Sequence, residues 1–74
     1  MRKVTIKFKN LFCDFCTYDI EIILDEFSEI GEYKIYRHSN TVEMFLKEHE
    51  DGLIERIKED FNREGLEVVE VIGG

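Results

Sequence analysis

The chain contains no proline, no alanine and no glutamine. Without proline there is no cis X-Pro turn and no preset φ in any loop. The accompanying richness in Glu, Lys, Ile and Val resembles that of proteins from hot environments. Nowhere do about 20 apolar residues run together, which excludes a bilayer-spanning helix. Basic charge is scarce: Lys and Arg total 10 against 17 Asp and Glu, a formal net charge of -7. That balance argues against a phosphate backbone or an anionic membrane surface as partner. It suits a partner with a basic face, although solubility alone accounts for it. Met1 to Lys7 alternates charged and apolar residues and lacks an apolar signal core, which predicts a cytoplasmic protein without a secretory signal.

What is present fits a small globular unit. The 74 residues leave room for one domain, 1–74, and 43% of them are hydrophobic. The hydrophobic pattern switches between a period of two and a period near 3.6. Residues 3–9 alternate, with Val4, Ile6 and Phe8 on one face. Residues 10–15 follow as a loop. From about 15 to 27 the spacing is helical, with Cys16, Ile20, Ile23, Leu24 and Phe27 sharing a face. Asp19, Glu21, Asp25 and Glu26 lie off that face. Gly31 is expected in the turn that follows. Residues 32–38 are β-forming, Ser39-Asn40 suits a tight hairpin turn, and 41–47 alternates with Val42, Met44 and Leu46 inward. Asp51 is the expected N-cap of a second helix over 52–63, with Leu53, Ile54, Ile57 and Phe61 on its inner face. Gly65 is the expected C-cap. Residues 66–72 form a last strand in which Val68 and Val69 compete for the core side. The order β-α-β-β-α-β predicts an α+β, ferredoxin-like fold, a four-stranded antiparallel sheet with both helices on one face.

The chemistry rests on Cys13 and Cys16. Two cysteines in a cytoplasmic chain point to metal binding or redox work rather than a structural bridge. Cys13 falls in the loop after the first strand and Cys16 in the first turn of the first helix. Unpaired backbone N–H groups and the positive end of the helix favour a thiolate there. Asp14 opposes this by adding negative charge. Two thiolates without a third ligand favour low coordination numbers, which suits Cu(I) and also Hg(II). Zn(II) prefers four ligands and would need a water, a His or a second molecule. An open pair of ligands leaves the ion accessible to an incoming thiol.

Asn10-Leu11-Phe12-Cys13-Asp14-Phe15-Cys16, set between the first strand and first helix, resembles the metal loop of the heavy-metal-associated domain family. The likeness covers Val4 to Ile72 in element order and spacing. Gly65-Leu66-Glu67-Val68 also stands where that family has Gly-Tyr-Glu/Asp-Val. The resemblance implies a metal-binding, ferredoxin-like metallochaperone without enzymatic activity. Its metal ligands would be Cys13 and Cys16, its cargo Cu(I), and its role metal ion transport. A copper-transporting P-type ATPase or a similar thiol-bearing domain would receive the ion. The chain would act as a monomer, with a metal-bridged pair of chains as the alternative. Three positions depart from the family motif Gly-Met-x-Cys-x-x-Cys and its partner loop. Asn10 replaces the Gly. Leu11 replaces an inward-packing Met of similar volume. Leu66 replaces a Tyr, or a nearby Lys, thought to modulate the bound ion. Arg63 offers positive charge at a helix end. Phe12 and Phe15 either dry the site or cover the end of the core.

Other readings carry less. A thiol–disulfide oxidoreductase also places C-x-x-C at a helix start, but the thioredoxin arrangement sets a cis-proline against its site and this chain has none. Hg(II), Zn(II) or Cd(II) sensing or buffering uses the same ligands. His38 and His49 lack zinc-finger spacing, and Lys47 to Asp51 reads as a solvated loop. Met44 reads as core. Tyr33, Tyr36 and Phe45 either pack across strands or form a partner surface on the open sheet face.

Overall fold

A computed structural model describes residues 2–9, 16–47 and 52–73. The elements run β1 (Arg2–Phe8), α1 (Cys16–Asp25), β2 (Ile30–Tyr36), β3 (Thr41–Leu46), α2 (Leu53–Arg63) and β4 (Val68–Ile72). The strands form one sheet in the order β2-β3-β1-β4, and every described pairing is antiparallel. This is the ferredoxin-like βαββαβ layout that the periodicity predicts.

The alternation of β1 and β3 decides which sheet face is dry. Val4, Ile6 and Phe8 pack with Val42, Met44 and Leu46 in the core. The helices supply Ile20, Ile23 and Leu24 from α1, and Leu53, Ile57 and Phe61 from α2. Each helix thus buries a stripe spaced at three and four residues, as an amphipathic surface helix does. Cys16, Phe27 and Ile54 are partly buried against the same core.

Three expectations change, and the open choice between Val68 and Val69 is decided. Gly31 is not in a turn. It lies inside β2 at a register irregularity, because Ile30 pairs with Leu46 while Glu32 pairs with Phe45. Glycine is accommodated at that position because the extra residue of a bulge has no cross-strand partner for a side chain to pack on. The connection between β2 and β3 is longer than a two-residue turn. Arg37–Ser39 form a 3-10 helix, and Asn40 takes the left-handed conformation at φ 55. Asn tolerates this better than most side chains. The N-cap of α2 is Gly52 at φ 86, with no side-chain cap; Asp51 lies outside the described residues. Finally, Val68 pairs with Phe8 and shares its core-facing side. The register slips between Lys7 and Phe8, leaving Val69 as the extra residue, 57% exposed.

The end of α2 is closed by glycine as expected. Gly65 has φ +81. Its N–H donates to the Asn62 carbonyl at 3.1 Å, and the Leu66 N–H donates to the Phe61 carbonyl at 2.9 Å. These are the two bonds of a Schellman motif, which satisfies carbonyls the helix end would otherwise leave open.

Candidate metal centre

Three connections meet at one end of the sheet. The Phe8 N–H donates to the Asn40 carbonyl at 2.8 Å, which ties the β2–β3 turn to the end of β1. The Lys9 N–H donates to the Glu67 carbonyl at 3.0 Å, which ties in the α2–β4 turn. Seven residues after Lys9, Cys16 opens α1. The chain therefore leaves β1 between two fastened turns and re-enters the described fold at the first helical residue. Helix N–H groups there have no intrahelical acceptor, so the position favours an anionic sulfur.

Cys16 is half-buried, with its side chain against the core. A helix residue packed in this way is a firm anchor for a ligand, since its backbone is fixed on one side and its side chain on the other. In this structure Cys16 is in a disulfide. That differs from the reduced pair expected of a cytoplasmic chain. Cys13 is the other cysteine of the sequence. It lies outside the described residues, as do Asn10, Leu11, Phe12, Asp14 and Phe15. A disulfide sulfur is not the thiolate that binds metal. Among the described residues there is no group of three or more His, Cys, Asp or Glu that could hold a metal ion.

The surroundings separate the remaining candidates. Leu66 is 5% exposed and belongs to the core, so this side chain packs inward and offers no polar group to a bound ion. Arg63 is exposed and pairs with Asp60 at 3.2 Å, a local contact along α2. His38 is exposed in the 3-10 turn; His49 lies outside the described residues. Met44 is fully buried, as core. Of the three aromatic residues expected on one open face, Tyr33 is not there. It pairs with Met44 on the helix-facing side, and its hydroxyl donates to Asp25 Oδ1 at 3.0 Å. Partial burial, then that hydrogen bond and the charges of Asp25 and Glu21, push the Tyr33 hydroxyl up from 10.0 to about 12. Two surface grooves of about 440 and 430 Å³ are lined by residues of the far end of α1, β2 and α2, and Cys16 lines neither.

Two exposed residues of α1, Tyr18 and Ile22, stand outside every role drawn from the sequence. The available signal was two apolar side chains four residues apart and off the core stripe.

No protein-family model matches this chain, and no curated protein matches it in sequence. Solved structures do match in fold. The copper transporter domain Ccc2a of yeast, studied in its apo and Cu(I)-loaded states, superposes with a TM-score of 0.75 at 19% identity, covering 95% of this chain and 97% of that one. A copper-binding domain from HMA7, a P-type ATPase, gives a TM-score of 0.71 at 19% identity, covering 97% and 99%. A third structure, from work on crosstalk between Cu(I) and Zn(II) homeostasis, gives 0.74 at 10% identity, covering 93% and 97%. These likenesses establish the shared fold. Among the described residues, no helix is long and apolar enough to cross a membrane.

Proposed function

We propose that a chain with the fold of these copper-binding domains carries a soft metal ion, Cu(I), on the thiolates of Cys13 and Cys16. The observation that carries the reading is the position of Cys16. It is the first residue of α1, packed against the core, and Cys13, its C-x-x-C partner, precedes it by three residues in the sequence. A rigid ligand from the helix and a second from the loop hold the ion at low coordination. Exchange then proceeds by association. A thiolate of the target binds the ion first, one of the carrier's thiolates leaves, and a second exchange completes the transfer. No free aqueous ion forms and no electron moves, so the role is that of a carrier and not of an enzyme. A metal-transporting ATPase or a similar thiol-bearing domain is the recipient that this chemistry suits.

Titration of the reduced protein with Cu(I) against a competing chelator tests the reading. About one tightly held ion per chain is expected on the two-ligand argument. Repeating it with Zn(II), which prefers four ligands, should give much weaker binding. Tight Zn(II) binding with no hold on Cu(I) would replace this reading with a zinc sensor or buffer.

A further inference from the structure

The net charge is confined to one part of the chain. Residues 10–33 contain seven carboxylates, Asp14, Asp19, Glu21, Asp25, Glu26, Glu29 and Glu32, and no Lys or Arg. The chain has 17 acidic and 10 basic residues. Removing those seven leaves 10 of each, so the rest of the protein is balanced. In the structure Asp19, Glu21 and Asp25 lie on α1, while Glu29 pairs with Arg56 of α2 at 3.2 Å and Glu32 lies on β2. The open sheet face sets Lys3, Lys7 and Lys34 against Glu32, Glu43 and Glu70, with Lys3 and Glu43 paired at 3.3 Å. Helix α2 alternates its charges, and Arg63–Asp60 pair at 3.2 Å. Of the two described helices, α1 carries charges of one sign and α2 of both.

That surface also carries apolar area. Successive helix residues turn by about 100°, so Tyr18 and Ile22 lie on the side of α1 opposite Ile20, Ile23 and Leu24. Tyr18 is 60% exposed and Ile22 44%. Asp19 and Glu26 flank them on one side, Glu21 and Asp25 on the other. An apolar centre with a charged rim is the layout of a protein-recognition patch. Tyr18 lies in the same first turn of α1 as Cys16 but about 200° around the helix from it, so a protein seated here covers the outer side of the helix start while Cys16 packs on the inner side.

We propose that the solvent face of α1, centred on Tyr18 and Ile22, docks a protein partner that presents Lys or Arg around an apolar contact, and that the same charge keeps a second copy of this chain off the site. Two copies meeting through α1 would oppose carboxylate to carboxylate, at separations shorter than the screening length of about 8 Å at physiological salt. A cationic partner gains from the same field. The face therefore selects a different protein as the receiver rather than a metal-bridged pair of identical chains. The inference rests on the carrier reading for the purpose of docking; the patch itself needs no metal.

The test is an amide NMR titration of the isotope-labelled reduced protein with a synthetic amphipathic helix of Leu and Lys, and with the same peptide bearing Glu for Lys. The Lys peptide should perturb Tyr18, Glu21, Ile22 and Asp25 most, and the Glu peptide should not bind. Raising NaCl from about 20 to about 300 mM should weaken binding about tenfold or more. Ile22→Ser, an exposed change, should weaken it about fivefold, and Glu21→Lys should weaken it further than Glu55→Lys on α2. A footprint on the open sheet face or on α2, or binding unchanged by Ile22→Ser and Glu21→Lys, overturns the proposal. So does a Cu(I)-loaded protein that sediments as a dimer through α1. Repeating the titration on Cys13→Ser/Cys16→Ser separates the two readings. Cu(I) binding without this footprint removes the docking face alone. The footprint without Cu(I) binding in the native chain removes the carrier role alone.

Discussion

The ring of Phe61 stands edge-on to that of Phe8, with 5.0 Å between centroids and 85° between planes. Both side chains are almost wholly buried. Phe8 ends β1, five residues before Cys13 in the sequence, and Phe61 lies in the last turn of α2. Their contact joins the strand that delivers the site to the helix whose closing turn holds Lys9.

Phe61→Ala should therefore cost about 3–5 kcal/mol. In so small a chain that approaches the whole stability, of order 5 kcal/mol. Urea unfolding should show a variant near its midpoint in plain buffer. A loss below about 1 kcal/mol would mean that this pair does not hold the site end together.

Gly65 has φ +81, and a Cβ added to it would meet nothing within 4 Å. The cost of Gly65→Ala is thus backbone strain alone, about 1–2 kcal/mol. Gly65→Asn should cost less, since Asn accepts the left-handed region more readily. Equal losses in thermal melts would point to a steric rather than a conformational cause.

Tyr33 supplies a pH signature. Its hydroxyl titrates near 12 in the folded chain and near 10.0 when unfolded. Between these values the unfolded chain has given up the proton and the folded chain has kept it. Ionisation then favours unfolding, so stability is full below pH 10.0 and falls as pH rises towards 12. Tyr33→Phe should remove this part of the alkaline loss. Asp25→Asn should lower the Tyr33 transition, which phenolate absorbance would follow. An unshifted transition in Asp25→Asn leaves the hydrogen bond without influence.

On the proposed carrier role, the disulfide of Cys16 would block loading. Oxidised protein should take up no Cu(I). After reduction it should hold about one per chain. Native mass spectrometry of the two forms gives the comparison. Cys13→Ser and Cys16→Ser should each abolish tight binding while leaving the melting temperature of the reduced chain within a few degrees. Tight binding by either single variant contradicts the two-thiolate site.

Much of the fold was legible because local periodicity is a local property. Val4, Ile6 and Phe8 alternate whatever β1 pairs with, and the spacing of Ile20, Ile23 and Leu24 suffices to define the inner side of α1. The Gly65 cap was legible for the same reason. Half of the candidate site was too, since Cys16 falls at the helix start where the pattern changes period. The charge confined to residues 10–33 is likewise a property of the sequence alone.

Tertiary pairing decided the rest. Val68 and Val69 are equally apolar, and only the slip against Lys7 and Phe8 turns one inward and leaves the other in solvent. Gly31 became a strand residue because β3 was there to pair around it. Leu66 became core because the helix cap, where its N–H donates to the Phe61 carbonyl, turns the chain so that its side chain joins the buried cluster. Tyr18 and Ile22 are exposed because the core accepts one stripe of α1 and nothing described covers the other. The sequence placed a sulfur at the start of a helix. What surrounds it depends on contacts between residues far apart in the chain, which no local pattern encodes.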